Sequence, residues 1–117
     1  MFGFEKLDVW QKSVDLADDV YRLTRDFPDY EKFGLANQMR RAAVSISSNI
    51  AEGSARDSKK DFARFLQIAY GSTMEVVSQL QIAQRQDFVS KEQARELYQN
   101  CEEIARMISG LKRSLGV

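Results

Sequence analysis

Phe62, Leu66, Ala69, Thr73, Val76, Leu80 and Ala83 recur at spacings of four, three, four, three, four and three. A heptad seam sustained over three repeats predicts one unbroken helix, about residues 59–86, roughly 40 Å long at 1.5 Å per residue. Phe65, Tyr70, Met74 and Val77 widen its apolar face. A rod with one apolar side must bury that side against other helices. Gly71 lies inside it. Glycine there costs roughly 0.5–1 kcal/mol against alanine, and it reads as permitting a close crossing with a small-residue helix.

The rest of the chain supplies the partners. Residues 33–53 carry apolar positions at 35, 39, 42, 46 and 50, interleaved with Ala42, Ala43, Ser45, Ser47, Ser48 and Ala51. This predicts a second helix over about Phe33–Glu52, ending at Gly53 in a left-handed residue. A first helix is expected from about Asp8 to Arg25. It has two adjacent stripes: Trp10, Val14, Ala17, Tyr21 and Thr24, then Val9, Leu16, Val20, Leu23 and Phe27. Pro28 breaks the pattern, and Phe2 and Phe4 are expected to pin the N-terminal arm. Ser58 with Asp61 resembles a helix N-cap, and Ser90-Lys91-Glu92-Gln93 is a capping box with Val89 placed for a hydrophobic staple. The fourth helix shows Ala94, Leu97, Cys101, Ile104, Ile108, Leu111 and Leu115 on one seam. Strand alternation is nowhere present. Short connections favour antiparallel neighbours, so the expected fold is all-α, an up-down-up-down four-helix bundle formed by residues 1–117 as one domain.

Composition narrows the chemistry. The chain has no histidine, which removes the usual general base near neutral pH and the commonest zinc ligand. Its single cysteine, Cys101, excludes an intramolecular disulfide framework and is expected to pack as a small hydrophobe. No metal site, cofactor motif or catalytic residue is expected. Ser45, Ser47 and Ser48 lack an activating base. No apolar run is long enough for a membrane span and the N-terminus does not read as a signal peptide, so a reducing cytoplasm is the expected location.

Net charge is zero but unevenly placed. Residues 1–31 hold eight acids and four bases, and residues 32–64 hold seven bases and three acids. The basic candidates for phosphate contact are Arg40, Arg41, Arg56, Lys59, Lys60 and Arg64, several of which would share one end of a helix hairpin. The alternative is a solvated face paired with Glu52, Asp57 and Asp61. Asn49, Glu52 and Gly53 form a polar helix end. Asn49 is placed to bond a neighbouring backbone, and Glu52 to pair with Arg40, Arg56 or a second subunit. The wide apolar faces of the first and third helices point to self-association.

These residues carry a family resemblance over about residues 4–115. The motifs are Phe4-Glu5-Lys6-Leu7-Asp8-Val9-Trp10-Gln11-Lys12, Phe27-Pro28, Gln38 to Ile46, Asn49-Ile50-Ala51-Glu52-Gly53, Phe62-Ala63-Arg64-Phe65-Leu66 and Gly71-Ser72. With them the chain resembles the four-helix-bundle proteins encoded within intervening sequences of 23S ribosomal RNA genes, the S23 ribosomal protein family. That fold is shared with the accessory variability determinant of diversity-generating retroelements. The resemblance implies a bacterial homopentamer without cofactor. It also implies RNA or DNA contact through the basic candidates and, in the retroelement case, a reverse transcriptase partner. The family often carries proline where this chain has Ser47, and the retroelement proteins are strongly basic where this chain is neutral. Two functions therefore stand: a nucleic-acid-binding accessory protein, or a protein-interaction scaffold without nucleic-acid contact.

Overall fold

The computed structural model describes residues 1–117 and consists of four helices: α1 (Asp8–Thr24), α2 (Leu35–Ser54), α3 (Lys59–Arg85) and α4 (Lys91–Ser114). Short 3-10 turns at Gly3–Lys6 and Asp29–Glu31 precede α1 and α2. Each helix packs on its neighbours in the chain, and α4 closes the ring onto α1. The bundle measures 43 × 22 × 22 Å. Its length is that of α3, the element with the longest apolar seam.

The period-3.6 positions become the core. Leu35, Met39, Ala42, Ile46 and Ile50 of α2 meet Leu66, Ala69, Val76, Leu80 and Ala83 of α3. Val9, Leu16 and Val20 of α1 and Ala94, Leu97, Cys101, Ile104 and Ile108 of α4 complete it. Buried hydroxyls return to their own helix: Ser13 donates to the Val9 carbonyl at 2.6 Å and Thr73 to that of Ala69 at 2.9 Å, so neither leaves an unpaired polar atom in the core. The stripe of α1 that begins at Trp10 is less buried than its spacing suggests. Trp10 and Val14 are half-buried and Tyr21 is exposed, because only one flank of α1 faces the interior.

The helix ends follow their caps. Ser58 Oγ accepts the Asp61 N–H at 3.0 Å, and Ser90 and Gln93 exchange bonds of 3.0 and 2.9 Å. α2 starts two residues later than expected, since Glu31 Oε2 accepts the Leu35 N–H at 3.2 Å and leaves Phe33 outside the helix. α3 ends on Asp87, whose φ is 60°. There Phe88 N–H bonds the Ala83 carbonyl at 2.9 Å and Asp87 N–H that of Gln84 at 3.0 Å, the Schellman arrangement. Phe88 thereby reaches Phe27, centroids 5.2 Å apart, and Tyr30 at 6.3 Å, tying two connections together at one end of the bundle.

Three local expectations are corrected. The N-terminal arm is held by Phe4, edge-on to Trp10 at 5.0 Å, and by Glu5, which accepts the Phe2 N–H at 2.9 Å. Phe2 itself is 73% exposed. Gly53 does not end α2 in a left-handed conformation. The helix continues to Ser54 with Gly53 buried, because a Cβ there would stand 2.6 Å from Phe65 Cβ and 3.0 Å from a Phe62 ring carbon. Gly71 does not serve a crossing between α2 and α3. It is exposed, with no atom within 4 Å of a Cβ built on it. The close approach expected of Gly71 is made at Gly53.

Gly53→Ala should therefore destabilise the bundle by about 1–3 kcal/mol despite alanine's better helix propensity, because α3 must move to admit the methyl group. Asp87→Gly should raise stability by less than ~1 kcal/mol by relieving a left-handed non-glycine residue. Urea midpoints of the two variants, shifting in opposite directions, check both.

Candidate nucleic-acid interface

The α2–α3 connection gathers four of the six basic candidates. Arg56 pairs with Glu52 at 2.9 Å and lies over the Phe65 ring at 4.7 Å, so it is fixed and partly neutralised. Arg64 pairs with Asp61 at 3.5 Å. Lys59 and Lys60 are exposed and make no ion pair. They occupy the first turn of α3, where the positive end of the helix dipole disfavours a cation and favours an anion. Their own chain thus stabilises these two ammonium groups little. Lys112 and Arg113 in the last turn of α4 share this end of the bundle, and Lys112 Nζ donates to Gln67 Oε1 of α3 at 2.7 Å. Sequence reasoning missed this pair. The antiparallel order was the available signal, since it places the end of the fourth helix beside the start of the third.

Arg40 and Arg41 lie elsewhere. Arg40 is sixteen residues from Arg56, or roughly 24 Å along a helix. Its Nε donates to Thr24 Oγ1 at 2.8 Å, and its guanidinium lies 5.2 Å from the Tyr21 ring centroid, so it fastens α2 to α1. Thr24 Oγ1 in turn donates to the Val20 carbonyl at 2.7 Å. Arg41 is exposed in a groove of about 410 Å³ between α2 and α3, with Phe33, Ser45, Ser72, Glu75 and Gln79. The six basic residues therefore do not form one patch.

The polar helix end has a structural explanation. Asn49 Nδ2 donates to the carbonyl of Ser45 at 2.8 Å and to its Oγ at 3.0 Å, bonding within its own helix rather than to a neighbour. Ser45 Oγ meets Ser72 Oγ of α3 at 2.9 Å. Glu52 takes Arg56 from among its possible partners. No three acidic or cysteine side chains are grouped so as to hold a metal ion. No helix is long and apolar enough to cross a membrane. On the opposite side, the groove between α1 and α4 is lined by Asp19, Asp26 and Glu96, with Arg22 as its cation.

A family model described as 23S rRNA-intervening sequence protein matches residues 5–110. The chain belongs to this family. Among solved structures, it is similar to a protein of unknown function from the S23 ribosomal protein family of Bacteroides thetaiotaomicron. The two share 25% identity over 89% of this chain and 97% of that one, with a TM-score of 0.83. No curated protein matches the chain.

Cys101 is fully buried on the α4 seam. Desolvation there pushes its thiol up from 9.0 to about 12. Below pH 9 the thiol is neutral in both folded and unfolded chains and contributes no pH dependence. Between pH 9 and 12 the unfolded thiol loses its proton while the folded one keeps it, so stability falls as pH rises. Urea midpoints at about pH 8 and about pH 11 should therefore diverge more in the parent chain than in Cys101→Ala. Separately, Arg40→Gln should cost about 1 kcal/mol in the same assay by removing the bond to Thr24, while Lys59→Gln should stay within about 0.5 kcal/mol of the parent.

Proposed function

We propose that this chain is a non-enzymatic accessory protein that holds RNA by its phosphate backbone at the end of the bundle bearing Lys59 and Lys60. The observation that carries this reading is two unpaired ammonium groups on the first turn of α3, where an anion is the favoured neighbour. Arg56 and Arg64 stand beside them, held by Glu52 of α2 and Asp61 of α3, with Lys112 and Arg113 at the same end. Phosphate is the ligand such a surface suits, because cations on rigid helices give position and charge without base-edge readout. The family description, which names a 23S rRNA intervening sequence, makes RNA the first nucleic acid to try. The chain's neutral total implies a local contact of modest strength.

A second reading, a protein-interaction scaffold, is favoured by a different observation. Phe33 is 87% exposed, and Ile68 and Ile82 are each about half exposed on α3. The two readings use different surfaces and separate experimentally.

Labelled 23S rRNA fragments and matched duplex DNA, titrated at two salt concentrations, test the first reading. Affinity should fall with salt. Lys59→Gln with Lys60→Gln should weaken binding and reduce the salt slope by about 0.7–0.9 for each phosphate that is no longer neutralised. Absence of binding at low salt, or an unchanged slope in the double variant, would leave the scaffold reading in its place.

A further inference from the structure

The groove between α2 and α3 holds the one buried side-chain polar atom in the chain that lacks a hydrogen bond, Gln79 Oε1. Such an atom calls for a donor. At about 410 Å³ the groove falls in the size range of small-ligand sites, roughly 300–1,000 Å³. Arg41 and Glu75 also line it, are exposed, and form no salt bridge with each other or with any other residue. Gln38 lies seven residues before Ser45, and Gln79 seven after Ser72. The helices are antiparallel and meet where Ser45 bonds Ser72, so these two amides stand at one height. At the end nearest the start of α2 stands Phe33, left outside the helix by the Glu31 bond to Leu35 and 87% exposed. Lys32 Nζ is 5.7 Å from its ring centroid.

The geometry points to an unpaired guanine of an RNA strand as the ligand of this groove. Unstacked bases are held by an aromatic ring and read on their Watson–Crick edge by polar side chains. Phe33 supplies the ring. Glu75 and Gln79 are four residues apart on one face of α3, so a carboxylate and an amide oxygen stand side by side, both acceptors. Guanine alone among the four bases carries two donors next to each other on that edge, N1–H and the N2 amino group. These two donate to the Glu75 carboxylate, and the second amino hydrogen donates to Gln79 Oε1. Guanine O6 accepts from the Gln38 amide, and Arg41 is left for the adjoining phosphate. A carboxylate repels the phosphates of a strand, so it favours a base that repays it with two hydrogen bonds. The inference rests on RNA as the ligand class but not on Lys59 and Lys60, which lie roughly 30 Å away along α3.

Fluorescence anisotropy with labelled single-stranded RNA of about eight nucleotides tests it, with circular dichroism to confirm helicity. An oligouridine with one central guanosine should bind about tenfold tighter than the all-uridine strand, and an adenosine in that place should give no such gain. Glu75→Gln and Gln79→Ala should each bring the guanine preference down toward one. Phe33→Ala should weaken every oligomer about fivefold or more, and Phe33→Tyr should restore binding. Lys59→Gln with Lys60→Gln should weaken all oligomers alike and keep the ratio between guanine and uracil. Equal affinity for the three strands, or a preference that survives both α3 substitutions, would overturn the proposal and leave the phosphate reading standing. A preference that persists with no dependence on the two lysines would do the reverse. Guanosine monophosphate competing as tightly as the oligomer would overturn the strand as the source of the base.

Discussion

The close approach of α2 to α3 is the constraint on which this bundle depends. At Gly53 the α2 backbone comes so near α3 that a β-carbon would stand 2.6 Å from that of Phe65. Further into the bundle, small residues again face each other, with Ser45 bonded to Ser72 and Asn49 bracing Ser45 from its own helix. These contacts fix how far each helix slides along the other. That register in turn sets which apolar residues of the seams meet, and where the ends of the two helices lie. α1 then docks through Arg40 and Thr24, and α4 through its own seam.

The fold was legible because periodicity is a property of each segment alone. Leu35, Met39, Ala42, Ile46 and Ile50 were readable as one helix face, and all five are buried. The serine caps of α3 and α4 were readable for the same reason, as their bonds span three residues. The glycines were not. Gly53 and Gly71 both sit within helices, and nothing local says which faces a neighbour and which faces water. That is decided by how two helices cross. The basic residues were harder still. Arg40 and Arg41 are adjacent in sequence, yet about 100° apart around a helix, so one reaches α1 while the other looks over the groove toward α3. Four of the six basic residues share the end of the α2–α3 hairpin, while Arg40 and Arg41 are held away from it by the rigid length of α2.

A net charge of zero conceals a segregated surface. The groove between α1 and α4 carries three carboxylates, Asp19, Asp26 and Glu96, against one cation, Arg22, whereas the α2–α3 connection carries ammonium and guanidinium groups whose acidic partners neutralise only part of them. Such a molecule has little long-range pull on a polyanion as a whole, but a strong local preference for which end meets it. Orientation, more than affinity, is what this distribution supplies.

Cys101 is the only thiol in the chain, fully enclosed on the α4 seam and held in its neutral form by that enclosure. A nucleophilic thiolate there requires the seam to open. The residue is therefore a built-in clock for the core: its labelling by a thiol reagent counts openings of the interior one molecule at a time, with no second cysteine to confuse the record.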